Sequence, residues 1–291
     1  MDERYKQNFI RAGAIAKEVR AFGKELIKKG ASYNDVIAQV NQKIKQLGAR
    51  PAFPPQIALN DIAAHFLPQP GEDIIFDNEV IKLDVGICYE GAIGDCAVTI
   101  DLSHKYQKLV DAAEAALLKA EQSLYVGQPL SEIGALIERT IWAYGFKPVK
   151  NLAGHGLGCY QIHTPPSIPN YKDKSKGRLT KGMTFAIEPF ATTGKGLIYE
   201  EGDPEIFCLV KEHSSFLLEK IKTFEGLPFA TYNLLSSDMK LSEVKKELFR
   251  LMEIGSIGGY GPLIEETHGL VAQAENSVLI DENGKILVTT R

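Results

Sequence analysis

The stretch Ile81–Asp101, IKLDVGICYEGAIGDCAVTID, decides how the chain is read. Leu83, Val85 and Ile87 line one face, so Asp84 turns to the other beside Lys82 and Gly86; this is the period of a β-strand. Glu90-Gly91 marks a turn, after which the chain runs back as a second strand. With a two-residue loop, Ala97 stands opposite Asp84 and Asp95 falls on the same face, one diagonal step away. Diagonal neighbours in a hairpin lie about 7–8 Å apart at the backbone. Two carboxylates at that separation can converge on one cation, or on two cations about 3.5–4 Å apart. A loop of odd length reverses the parity, and two aspartates that simply face water are the plainer alternative.

Three other places bear on the choice. Asn151–His163, NLAGHGLGCYQIH, interleaves His155 with Gly154, Gly156 and Gly158 and sets His163 eight residues on. Glycine lets backbone or ligand approach closely, so the segment reads either as a histidine at a crowded site or as a glycine-rich turn. Glu188 ends the apolar run of MTFAIEPF ahead of Pro189, and Glu275 lies inside LVAQAENSVLI. Charged residues within apolar strands are uncommon without a partner. Asp84, Asp95, Glu188 and Glu275 together carry four negative charges, which two divalent cations neutralise. An oxygen-rich donor set with one imidazole suits Mn, Fe, Co or Zn.

Composition excludes several classes of function. The 291 residues are 44% hydrophobic and 24% charged, enough for a sizeable core. The net charge of −4 gives no basic footprint for nucleic acid. No apolar run approaches the roughly 18 residues of a membrane span, and the start, MDERYKQ, does not read as a signal peptide. The cysteines, Cys88, Cys96, Cys159 and Cys208, are scattered without a CxxC pair, which fits a reduced, cytoplasmic setting. Cys96 and Cys159 stand near the carboxylates and His155, so a cysteine ligand stays open, although free cysteine is more often a small buried apolar residue. His104, His213 and His268 sit in polar context and read as surface residues.

The rest of the chain supplies the frame. Asp2–Lys29 reads as an amphipathic helix whose apolar face includes Ile10, Ala14, Ala16 and Val19, stopped by Gly30. Ser32, with Asp35 three residues on, caps a second helix that ends at Gly48. A second helix pair follows, Lys108–Tyr125 stopped by Gly127 and another helix stopped by Gly145. Gly30 and Gly127, Val36 and Ile133, Gly48 and Gly145, Pro51 and Pro148 all stand 97 residues apart, the pattern of an internal duplication. Strands are expected over Val80–Cys88, Asp95–Asp101, near Lys150, and over Thr184–Phe190, Leu270–Ile280 and Ile286–Thr289, with Asn283-Gly284 as a hairpin turn. Runs of strands after helix pairs give an α+β fold. From about 207 to 258 the pattern turns helical, with little strand character, and reads as an insertion within one catalytic domain spanning 1–291.

Taken in order, Asp84, Asp95, His155, Glu188 and Glu275 resemble the metal site of the pita-bread metallopeptidases. The stretches PAFPPQIALNDIAAH, NLAGHGLGCYQIH, AIEPFATTGKG, YGPL and QAENSVLI narrow the resemblance to type II methionine aminopeptidases of the short archaeal kind. It covers essentially the whole chain and implies a pita-bread fold of two pseudo-twofold halves plus a helical type II insertion. It implies two divalent metal ions: Asp95 and Glu275 shared between them, Asp84 on one, His155 and Glu188 on the other. Glu188 then also handles a proton of the attacking water, whose pKa two cations lower. The resemblance further places His163 against the scissile amide, His65 near the departing amide, and Phe53, Ile162 and Tyr260 around the methionine side chain. The partners implied are N-termini of nascent polypeptides that begin with methionine, acted on by a monomer; contact with the ribosome stays open. Cys96, Ala274 and Asn276 depart from the residues common in that family, beside the ligands.

Two other readings compete. A prolidase or aminopeptidase P shares the fold but usually carries an extra N-terminal domain and lacks the insertion. A pita-bread protein that has lost its metals and binds nucleic acid or protein should show broken ligands and basic extensions. Here all five ligand positions are filled and the chain is mildly acidic.

Overall fold

In the computed structural model, which describes residues 1–291, the hairpin forms with the register that places both aspartates on one face. Val80–Tyr89 pairs antiparallel with Ala92–Asp101, putting Asp84 opposite Ala97 and Asp95 opposite Gly86. Glu90 (φ 50°) and Gly91 (φ 83°) form the two-residue turn, both left-handed as a type I′ hairpin requires.

Helix α1, Glu3–Leu26, packs across both strands of this hairpin. Its buried stripe is Phe9, Ala12, Gly13, Ala16, Val19 and Gly23, with Ile15 beside it. Ala14, expected on that face, is exposed, and Ile10 is only half-buried. The helix lies flat on two long strands, and the small residues of the stripe admit that approach. Helix α2, Tyr33–Gln46, is capped by Ser32, whose Oγ accepts the Asp35 N–H at 3.1 Å.

The duplication extends to backbone detail. Helices α3, Gln107–Gln122, and α4, Leu130–Ala143, repeat the first pair, and Gly30, Gly48, Gly127 and Gly145 all have positive φ. Gly30 N–H bonds to Phe76 O at 2.7 Å, and Gly127 N–H to Leu179 O at 2.8 Å. Two residues on, Ser32 bridges Ile75 and Pro129 bridges Arg178. The short strand Arg50–Pro51 joins Val80–Tyr89, and its counterpart Lys147–Pro148 joins Phe190–Thr192. Each half keeps its own core, one around Ile15, Val36 and Leu83, the other around Ala116, Ile137 and Phe185.

Two expected strands are in fact broken, both at a glutamate. Thr184–Ile187 and Phe190–Thr192 flank Glu188-Pro189, while Val271–Gln273 and Asn276–Ile280 flank Ala274-Glu275. The halves of each run join different sheets. Pro189 offers no N–H to continue a ladder. Glu275 sends its N–H to Ala97 O (3.2 Å) and receives the Ala97 N–H (3.4 Å), so its backbone pairs with the aspartate hairpin. Thr184–Ile187 and Asn276–Ile280 sit in a five-stranded sheet with Ala153–Gly158, Gln161–Pro169 and Ile286–Val288. The Asn283-Gly284 turn is present, with Gly284 N–H on Asp281 O at 2.9 Å.

The stretch from 207 to 258 is less helical than expected. Helices α5 (Leu218–Lys222), α6 (Thr231–Leu234) and α7 (Leu241–Glu253) rest on three strands, Phe229–Ala230, Ile206–Leu209 and Ile257–Tyr260. These strands are short, and Gly258-Gly259 interrupts any alternation. Phe207, Leu217, Phe229, Val244 and Leu248 form a separate cluster beneath the helices.

Glu265 clamps the loop near residue 195 to the chain just beyond it. Its buried carboxylate accepts N–H groups from Lys195, Gly196 (2.9 Å), Thr267 (2.7 Å) and Gly269 (3.0 Å), and the Thr267 hydroxyl at 2.8 Å. Burial alone would raise its pKa; the bonds from Gly269, Gly196 and Thr267 outweigh it and hold the carboxyl at about 2. Unfolded glutamate titrates near pH 4.3. The clamp's contribution is therefore complete above that pH and lost as pH falls towards 2. Glu265→Ala should cost about 3 kcal/mol or more, because several N–H groups lose their acceptor together. Urea unfolding at neutral pH and near pH 2.5 checks this: the gap between wild type and variant should narrow in acid.

Candidate metal centre

One cavity of about 140 Å³ free volume collects every site residue expected from the sequence. Asp84, Asp95, His155, Glu188 and Glu275 line it, as do His65, His163, Phe53, Ile162 and Tyr260. The hairpin presents the two aspartates, the strand breaks present the two glutamates, and Ala153–Gly158 presents His155. The acidic cluster therefore lies on the seam between the duplicated halves.

The glycines around His155 serve the backbone rather than access to the site. A Cβ at Gly154 would lie 2.3 Å from Ala186 O, and one at Gly156 2.2 Å from Pro165 O. Their absence lets neighbouring chains close on the His155 strand from both sides. His155 Nδ1 lies 3.3 Å from Gly156 O, a donor's position. Its Nε2 then faces Asp95 Oδ2 at 3.8 Å and Glu188 Oε1 at 3.7 Å. These are too long for hydrogen bonds. They match the spacing of atoms that share one cation through bonds of roughly 2.0–2.2 Å.

Ionised together, these groups need a counter-charge. Ligand atoms of Asp95, His155 and Glu275 lie within 4.8 Å of one another. Asp84 Oδ1 and Asp95 Oδ1 are sealed from solvent with no hydrogen-bond partner. Burial, then the charge of Asp84, raises Asp95 well above the usual carboxylate range. Burial and the neighbouring carboxylates do the same to Glu188 and Glu275, and burial brings Asp84 to about 7. Burial also lowers His155 to about 3 and His65 to about 4, so both rings are neutral. Neutral imidazole and clustered carboxylates are the donors that divalent first-row metals take.

Both histidines beyond His155 adopt a left-handed backbone, His65 at φ 60° and His163 at φ 59°. Such a conformation is uncommon away from glycine and clusters at functional sites. His163 stacks edge-on to His155 with ring centroids 4.4 Å apart, and His65 packs against Tyr260 at 5.4 Å. The apolar wall adds Leu152, Phe190, Ile206, Pro228 and Leu263 to the expected Phe53, Ile162 and Tyr260.

Sequence reasoning missed two glutamines. Gln56 lines the cavity opposite Asp84, and its Oε1 accepts the His65 N–H at 2.7 Å. Gln273 directs Nε2 toward Glu188 and Glu275 at 3.4 and 3.3 Å. Its spacing of two from Glu275 could have marked it; nothing in the sequence marks Gln56. Neither cysteine near the ligands joins the site. Cys96 is buried in the first hydrophobic core and Cys159 is exposed. His104 and His268 are exposed, His268 paired with Asp61 at 2.7 Å, but His213 is half-buried with Nδ1 enclosed and unpartnered.

Removing one carboxylate should relieve the metal-stripped protein and harm the loaded one. Without metal, Asp84→Asn should gain about 1 kcal/mol, roughly 2–4 °C in thermal midpoint for a chain of this size. With added Co²⁺ or Mn²⁺ the order should reverse, as scanning calorimetry with and without metal can show.

Comparison with known proteins agrees with this geometry. Residues 7–282 match metallopeptidase family M24. A methionine aminopeptidase of Archaeoglobus fulgidus is 39% identical over 99% of this chain and 100% of its own length. Among solved structures, a methionine aminopeptidase from Thermotoga maritima superposes with TM-score 0.74 at 22% identity, covering 100% of this chain and 98% of that one. A thermophilic Arx1 superposes with TM-score 0.83 at 14% identity, covering 99% and 91%. Five metal-type donors converging in one cavity and a match over nearly the whole length lead to one conclusion: the chain belongs to metallopeptidase family M24.

Proposed function

We propose that the chain is a metal-dependent aminopeptidase of the type II kind that removes initiator methionine from nascent polypeptides, acting as a cytoplasmic monomer. The observation that carries this reading is the cavity itself, with acidic donors on one side and an apolar wall on the other. Asp84, Asp95, His155, Glu188 and Glu275 would hold two divalent ions; Co, Mn, Fe and Zn all suit the donors. When bound, such ions acidify water and provide a seat for the substrate's free α-amine, which restricts cleavage to the first residue.

The chain's own residues do the rest. Glu188 takes a proton from the attacking water and returns it to the departing amine as the C–O bond forms and the C–N bond breaks. His163, kept neutral by burial, offers an N–H to the carbonyl oxygen as negative charge develops there. His65, held beside Tyr260, stands near the departing amide. Phe53, Ile162 and Tyr260 enclose the methionine side chain. The wall excludes water, so these few polar contacts act in a low dielectric.

Hydrolysis of Met-Ala-Ser and of Ala-Pro by metal-stripped protein, with Co²⁺, Mn²⁺, Fe²⁺ or Zn²⁺ restored, tests the proposal. Methionine release should require metal and fall by roughly 10²–10⁴-fold in Glu188→Ala. Cleavage of Ala-Pro alone would assign the chain to the prolidases, and no turnover by folded protein with any metal would leave a binding role. His163→Ala should lower kcat by about 10²–10³-fold with little change in KM, since its contact forms mainly in the transition state.

A further inference from the structure

The carboxylates of Asp95 and Glu275 face the cavity, and no close side-chain hydrogen bond fixes either. Asp95 Oδ1 has no partner, and Glu275 has only the long contact from Gln273 at 3.3 Å. Their backbones, by contrast, are held by side chains that lie outside the cavity lining. Ser277 Oγ accepts the Asp95 N–H at 2.7 Å and donates to Asp95 O at 2.8 Å, tying both peptide groups of one residue. Arg20 of α1 donates Nη1 to Glu275 O at 2.9 Å.

These two clamps are one network. The Ser277 N–H donates to Thr290 Oγ1 at 2.9 Å, and that hydroxyl donates to Asn276 Oδ1 at 2.8 Å. Arg20 Nη1 reaches the same Asn276 oxygen at 2.9 Å, and its Nη2 reaches Thr290 O at 2.8 Å. Asn276 Nδ2 donates to Glu121 Oε1 at 2.6 Å, and Arg291 pairs with Glu121 Oε2 at 2.7 Å. Ser277, Thr290, Asn276 and Glu121 are all buried. None of Arg20, Glu121, Asn276, Ser277 and Thr290 lines the cavity, so the network touches neither ion nor substrate.

We propose that Arg20, Ser277 and Thr290, joined through Asn276, are positioning residues that set the separation of Asp95 and Glu275 before any metal arrives. The inference rests on the metal-centre reading above. Two carboxylates that repel each other once ionised stay aimed at one point only if their peptide groups cannot retreat. Residues behind ligands typically change metal affinity or activity by roughly 10–100-fold when removed.

The test is calorimetric titration of the metal-stripped protein with Co²⁺, with the visible absorption of bound Co²⁺ and with kcat and KM for Met-Ala-Ser. Ser277→Ala and Arg20→Gln should weaken Co²⁺ binding by roughly 10–100-fold, alter the Co²⁺ spectrum and lower kcat, with KM within about two-fold. Ser277→Thr, which keeps the hydroxyl, should restore affinity and spectrum. Wild-type affinity and spectrum in folded Ser277→Ala and Arg20→Gln would overturn the proposal, as would a folded Ser277→Thr no better than Ser277→Ala. If Ser277→Ala does not fold, Arg20→Gln decides, because Arg20 is only half-buried. Failure of the wild-type protein itself to bind Co²⁺ overturns the metal-centre reading and this proposal together, and is distinguishable from variants that bind as the wild type does.

Discussion

Four carboxylates aimed into one cavity are the constraint on which the rest of the structure depends. Burial raises all four and their mutual charge raises three of them further. No arginine or lysine contributes to the cavity wall that could neutralise them. A fold under selection for stability alone would not assemble this group, since each unpaired buried charge costs several kcal/mol. The arrangement makes physical sense only with cations in place, and the neutral imidazole of His155 completes a donor set suited to them.

The duplicated frame makes such a cluster possible. Two similar helix pairs back two sheets, and the cluster lies where the sheets meet. Asp84 and Asp95 come from a hairpin in the first half. Glu188 and Glu275 come from points in the second half where a strand leaves one sheet for another. At such a point the backbone is not committed to a regular ladder, so the side chain can turn into the seam. The left-handed backbones of His65 and His163 belong to the same logic. Local strain of about 1–3 kcal/mol each is tolerated because the surrounding chains leave the rings no other place.

Legibility in the sequence followed the range of the interactions. Asp84 and Asp95 were readable as a pair because their relation is local: a type I′ turn and the period of a strand settle it. The helix ends were readable because Gly30, Gly48, Gly127 and Gly145 carry left-handed turns that other residues resist. The breaks at Glu188 and Glu275 were not readable, because switching sheets is decided by the partner strand, and Ala97 is remote from Glu275 in sequence. Gln56 escaped for the same reason, as its link to His65 needs the register against Asp84. The residue types of the metal cluster were legible, but how the chain holds them was not: Arg20 and Ser277 have no pattern of their own.

The two walls of the cavity differ in structural origin. The acidic wall is built wholly from the duplicated halves. Part of the apolar wall comes from the edges of the stretch between 206 and 260: Ile206 and Tyr260 stand opposite each other on neighbouring strands, and Pro228 adjoins the third strand. That stretch has its own hydrophobic cluster and so holds its shape without drawing on the seam. Substitutions there can reshape the slot for a substrate side chain while the donors stay where the hairpin and the strand breaks put them. Selection of a side chain is thus shared between the halves, through Phe53 and Ile162, and this stretch, which meets them at Tyr260 where it packs against His65 and faces His163.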